Sequence, residues 1–181
     1  TIDRLLGQAV SYVALHCFSN RARLEPLAGE LRALGRKVAI VSGDIGDAES
    51  VHAFVRAAVE EIGEPDIVVA NAVAQNRPWL PVLEEDPAVY LNQINSTVMQ
   101  SVYLAKATVP AMQKKGWGRF IGISTECIMQ LYKTQSAYIA GKRGMDGVLR
   151  VLANEVGGDG VTVNQVAPGW IAMDEADEKS Q

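Results

Sequence analysis

The chain has 181 residues, of which 48% are hydrophobic, 21% charged and 6% aromatic, with a formal net charge of −4. That balance suits one globular α/β domain and excludes a disordered acidic tail, a collagen-like chain and a small disulfide scaffold. The negative charge argues against a nucleic-acid partner, and no apolar run is long enough to span a bilayer.

Residues 1–11 read as a short helix, with Ile2, Leu5, Leu6 and Val10 on one side. Residues 12–17 are apolar and β-rich, a buried strand. Residues 21–34 carry Leu24, Leu27, Leu31 and Leu34 at helical spacing, and Gly35 is the stop. A strand at 38–41 runs into Ser42, Gly43 and Asp44, and a helix follows over 48–62 with Val51, Phe54, Val55 and Ile62 on its buried side. A strand over 67–70 and a proline-containing loop over 73–81 come next. A long helix is predicted over about 87–115, with a kink or break near Pro110. Then come a strand at 120–123, a connection over 124–135, a helix over 136–156 and a last strand at 161–166. Strands and helices alternate, and the strands are continuously apolar. The pattern predicts a Rossmann-like, doubly wound parallel sheet with helices on both faces, as a single domain over 1–181.

Cys17 and Cys127 are far apart in apolar surroundings and read as small buried hydrophobes. His16 and His52 are isolated, so no metal site is expected. Free thiols and no charged-then-apolar leader point to the cytoplasm.

In such a sheet, ligands bind at the carboxyl ends of the strands. That rim carries Ser19, Asn20 and Arg21, then Asp44 and Ile45, Asn71 and Ala72, Ser124 and Thr125, and Pro168 and Gly169. Small polar residues there suit a nucleotide crevice, where backbone must approach the ligand. Tyr138 and Lys142 stand one helical turn apart on one face. An ammonium beside a phenol favours phenolate, so such a tyrosine can exchange a proton near neutral pH. Asn95 sits inside the long helix, where its poor helix propensity needs a reason.

These residues, in this order and spacing from about Tyr12 to Ile171, resemble the short-chain dehydrogenase/reductase family in its single-domain form. The resemblance rests on Asp44-Ile45, Asn71-Ala72, Asn95, Ser124-Thr125, Tyr138-x-x-x-Lys142 and Val163-Asn164-x-Val166-x-Pro168-Gly169. It implies that Tyr138 exchanges a proton with the substrate oxygen. Lys142 would lower the Tyr138 pKa and bind the nicotinamide ribose, and Asn95 would hold a relay water. A hydroxyl would polarise the carbonyl of a small-molecule substrate. The rim residues, with Ile171, would bind the cofactor, and a homotetramer or dimer is implied.

Three departures qualify the resemblance. The family's serine position is occupied by Thr125; Ser124 would point to the other face of the strand, so Thr125 is favoured. A first strand and its glycine-rich phosphate loop have no counterpart. Ala172 and Met173 stand where a threonine is expected. The domain is therefore expected to be incomplete at its first strand and after about residue 173. The first visible strand ends in Ser19-Asn20-Arg21-Ala22-Arg23, with no carboxylate for a ribose hydroxyl and two arginines that suit a 2′-phosphate. NADP is favoured, with NAD as the alternative. The competing reading is a non-catalytic member kept for binding or assembly.

Overall fold

The computed structural model describes residues 11–74 and 78–171. The helix expected over 1–11 lies almost wholly outside them, as do Ala172 and Met173. In chain order the elements are β1 (Tyr12–Cys17), a 3-10 turn (Arg21–Leu24), α1 (Glu25–Ala33), β2 (Lys37–Ser42), α2 (Ala48–Ile62) and β3 (Ile67–Ala70). They continue with α3 (Pro87–Ile94), a π turn (Asn95–Met99), α4 (Gln100–Lys115), β4 (Gly118–Ile123), α5 (Cys127–Gln130), α6 (Ser136–Val156) and β5 (Val161–Val166).

All strand pairs are parallel. β1 pairs with β2 from Tyr12↔Lys37 to Cys17↔Ser42. β4 pairs with β3 from Ile67↔Arg119 and with β5 from Gly118↔Val161. The fold is thus the Rossmann-like α/β architecture expected, but its strands form two ladders, β1-β2 and β3-β4-β5. Between them lies a cleft of about 290 Å³, lined by Val13 to His16 of β1 and by Val68 and Val69 of β3. Among the described residues, the β1 and β3 edges facing this cleft pair with no strand.

Side chains alternate across β2, as pleating requires. Val38 and Ile40 join Leu15, Ala28 and Leu31 in a small core under α1. Val41 faces the other way, into a larger core with Val51 and Phe54 of α2, Val109 and Met112 of α4, Phe120 of β4, and Met145 and Leu149 of α6. Helix ends follow local chemistry. Asp47 caps α2, accepting from Ser50 N at 2.7 Å. Gly116, at φ +74°, ends α4 behind Lys114 and Lys115.

The long helix departs from expectation. It continues through Pro110 to Lys115, and its irregularity is the π turn at Asn95–Met99. Pro110 and Lys106, whose carbonyl loses a donor to the proline, are both exposed, so water takes that place. At the π turn, the Thr97 hydroxyl donates to Gln93 O at 2.5 Å and the Ser101 hydroxyl to Thr97 O at 2.9 Å. Hydroxyls that compete for the carbonyl ladder widen a helix locally. α6 lies directly on this turn because residue 141 is glycine. A Cβ there would sit 2.6 Å from Thr97 Oγ1 and 2.9 Å from Gln93 O. No described helix is long and apolar enough to cross a membrane.

Candidate active site

β4, α5 and α6 together place the proton-handling groups. Parallel pairing carries β4 beyond its last residue, with Ser124 N donating to Val166 O at 2.7 Å. Ser124 and Thr125, directly after the strand, are both buried. The Ser124 hydroxyl has no hydrogen-bond partner. Thr125 Oγ1 accepts from Cys127 N at 3.2 Å and its side chain hydrogen bonds to Tyr138. The connection to α6 places Leu131 at φ 54° and Thr134 at φ 67°. Non-glycine residues take left-handed backbone only where the surroundings hold them there.

Tyr138 is half-buried, with its ring stacked beside Trp79 at 6.1 Å between centroids. Burial pushes its phenol above the usual pKa, the Thr125 hydrogen bond pulls it back, and Cys127 pushes it up. Lys142, only 3% exposed, donates from Nζ to Ile123 O at 2.6 Å. Burial lowers its pKa to about 8. Its Nζ lies 5.9 Å from the Tyr138 ring centroid. Burial is the largest cause of the Tyr138 shift, and the Lys142 ammonium is held by a backbone carbonyl.

Asn95 opens the π turn. It is exposed, and the nearest side-chain atom to a Cβ built on Gly46 is Asn95 Cβ, at 3.2 Å. On a helix, residues two apart point in nearly opposite directions. Gln93 and Thr97 therefore face α6, and Asn95 faces the turn after β2.

The remaining rim residues fall into three groups. Ser19, Asn20 and Arg21 are exposed at the end of β1. Asp44 is occupied locally: its N–H donates to Ser50 Oγ and its Oδ1 accepts from Gly46 N, both at 2.8 Å. Ile45, Asn71 and Ala72 line the cleft between the ladders. Pro168 O accepts from Glu126 N at 3.0 Å, Gly169 borders the pocket beside Tyr138, and Ile171 is exposed.

That second pocket, about 200 Å³, is walled by Val73, Ala74, Trp79, Gln93, Glu126, Cys127, Gln135, Tyr138, Gly169 and Trp170. Gln93, Glu126 and Gln135 escaped the sequence reading, although Gln93 lies one turn before Thr97 and Glu126 directly follows Thr125. Cys127, expected in the core, is half-buried in this wall. Met129, Leu131 and Tyr132, in the connection from Thr125 to Tyr138, are exposed and none is in the wall. Trp117 packs under the Arg119 guanidinium at 4.4 Å.

The donors at this rim suit the nicotinamide-ribose half of a dinucleotide. They are the buried Lys142 ammonium and the Tyr138 phenol, with Gly169 in the same pocket wall as Tyr138. A glycine loop for the pyrophosphate has no counterpart among the described residues.

The short chain dehydrogenase family model matches residues 2–181. Nodulation protein G of Azospirillum brasilense is 32% identical over 174 residues, covering 96% of this chain and 70% of that one. The 3-oxoacyl-(acyl-carrier-protein) reductase FabG of Pseudomonas aeruginosa is 32% identical over 179 residues, covering 95% of this chain and 72% of that one. The crystal structure of a metagenomic short-chain oxidoreductase in complex with NADP matches with a TM-score of 0.84 and 27% identity, covering 94% of this chain and 76% of that one. Sequence, fold and the grouping of Thr125, Tyr138 and Lys142 agree, and the chain belongs to the short-chain dehydrogenase family.

Proposed function

We propose that the protein interconverts a small carbonyl compound and its secondary alcohol with a nicotinamide cofactor, and that Tyr138 exchanges the proton at the substrate oxygen. The observation that carries this reading is the Tyr138 phenol, hydrogen bonded to Thr125 at the wall of a pocket, with the Lys142 ammonium close to its ring. A bound nicotinamide supplies or accepts the hydride. Tyr138 is protonated at neutral pH because burial raises its pKa, which suits proton donation to a forming alkoxide. The Thr125 hydroxyl orients the phenol and can donate to the same oxygen. Lys142 offers a desolvated ammonium to ribose hydroxyls.

Exposed Arg21 and Arg23, with no acidic residue between β1 and α1, favour NADP over NAD. The NADP-bound relative supports the same choice. Leu91, 63% exposed, and Ile94, 37% exposed, form an apolar stripe on α3 that supports self-association.

Tyr138→Phe keeps the ring and removes the proton. It is expected to lower NADPH-dependent carbonyl reduction by about a thousandfold, with circular dichroism unchanged. Reduction at the wild-type rate would overturn the assignment of Tyr138.

A further inference from the structure

The pocket beside Tyr138 is one-sided in its polar chemistry. Among its lining residues Glu126 alone carries a formal charge at neutral pH. Among the described residues its carboxylate makes neither an ion pair nor a hydrogen bond. It packs on the backbone of Gly169, where a Cβ would lie 2.9 and 3.2 Å from its two oxygens. Two further acceptors border the same space. Gln93, 2% exposed, donates from Nε2 to Ala74 O at 2.7 Å, which leaves its Oε1 as the free end. That oxygen and Gln135 Oε1 are buried and unpartnered. The indole of Trp79 and that of Trp170 complete the wall. Lys142, whose ammonium lies 5.9 Å from the Tyr138 ring centroid, is not part of this lining and is bound to Ile123 O.

We infer that this pocket selects a carbonyl or alcohol compound carrying a positively charged nitrogen. The inference rests on the reading of the pocket as the substrate site and names the class of substrate it takes. An unpaired carboxylate, acceptors without donors and aromatic faces each favour an ammonium group. A carboxylate ligand would meet Glu126 as a like charge. An aliphatic ligand would leave all three acceptors unpaired.

Binding can be measured without turnover, by tryptophan fluorescence on the full chain, because Trp79 and Trp170 wall the pocket. The probes are 1-amino-2-propanol, its neutral isostere 2-butanol, and the anion 3-hydroxybutyrate. The amine is expected to bind at least about tenfold more tightly than either. Glu126→Gln is expected to abolish that preference and Glu126→Asp to keep part of it. Equal binding of amine and isostere, tighter binding of the anion, no saturable binding of the amine, or a preference that survives Glu126→Gln each overturns the inference. Tyr138→Phe separates the two proposals: it removes turnover if the oxidoreductase reading holds and leaves the amine preference in place.

Discussion

The two sides of the central cleft handle polar residues in opposite ways. On the β3-β4-β5 side, Ser124, Thr125, Gln93, Thr97 and Lys142 are all buried, under a core that includes the fully buried Phe120 and Val161. On the β1-β2 side, the core is the smaller cluster around Leu31 and Ile40, and the polar rim of Ser19, Asn20, Arg21 and Arg23 is open to water. Groups that move protons gain from desolvation, which shifts pKa values and strengthens hydrogen bonds. Groups that tell one cofactor from another lose nothing by staying hydrated until the ligand arrives. The difference separates chemistry from recognition: one is set by packing, the other by exposed charge.

The largest test of this contrast is Phe120→Ala. Removing a fully buried ring from the larger core is expected to cost about 4 kcal/mol, read from the denaturant midpoint. Leu31→Ala, in the smaller core, is expected to cost about 3 kcal/mol. A larger loss from Leu31 than from Phe120 would reverse the ranking of the two sides.

Lys142 gives a test with the opposite sign. Its pKa in the folded protein is about 8, below its ordinary 10.5, so the unfolded chain binds the proton more tightly. The cost is complete below pH 8 and fades as the pH rises toward 10.5. It is roughly 3 kcal/mol at neutral pH. Lys142→Met removes that cost and the bond to Ile123 O, for a net gain in stability of about 1–2 kcal/mol at pH 7. Activity is expected to be lost. Wild type and variant should converge in melting temperature between pH 8 and 10.5. A variant less stable than wild type at pH 7 would show that the ammonium stabilises the fold.

The smallest effect is expected on the exposed side. Arg21→Ala should raise the KM for NADPH about tenfold, leave that for NADH unchanged, and leave the melting temperature where it was. Equal changes for both cofactors would remove Arg21 from the choice between them.

Most of the fold was legible because its signals are local. Apolar strands bounded by turn residues, and leucines at helical spacing over α1, mark the elements to within a few residues. The four-residue spacing places Tyr138 and Lys142 on one helix face, where the Lys142 ammonium lies 5.9 Å from the Tyr138 ring centroid. The break expected at Pro110 failed because a proline on the wet face of a helix is tolerated. The order of motifs gives Asn95 a relay water to hold, and packing sets its Cβ beside Gly46.

By itself, then, the sequence determined the alternating elements, the parallel sheet and the residue types that handle the proton. The tertiary structure alone decided which turn of the long helix meets α6, which carbonyl holds Lys142, and which acceptors surround the pocket. Periodicity is a property of neighbours along the chain. Burial and hydrogen bonding join residues such as Gln93 and Ala74, or Ile123 and Lys142, that only packing brings together.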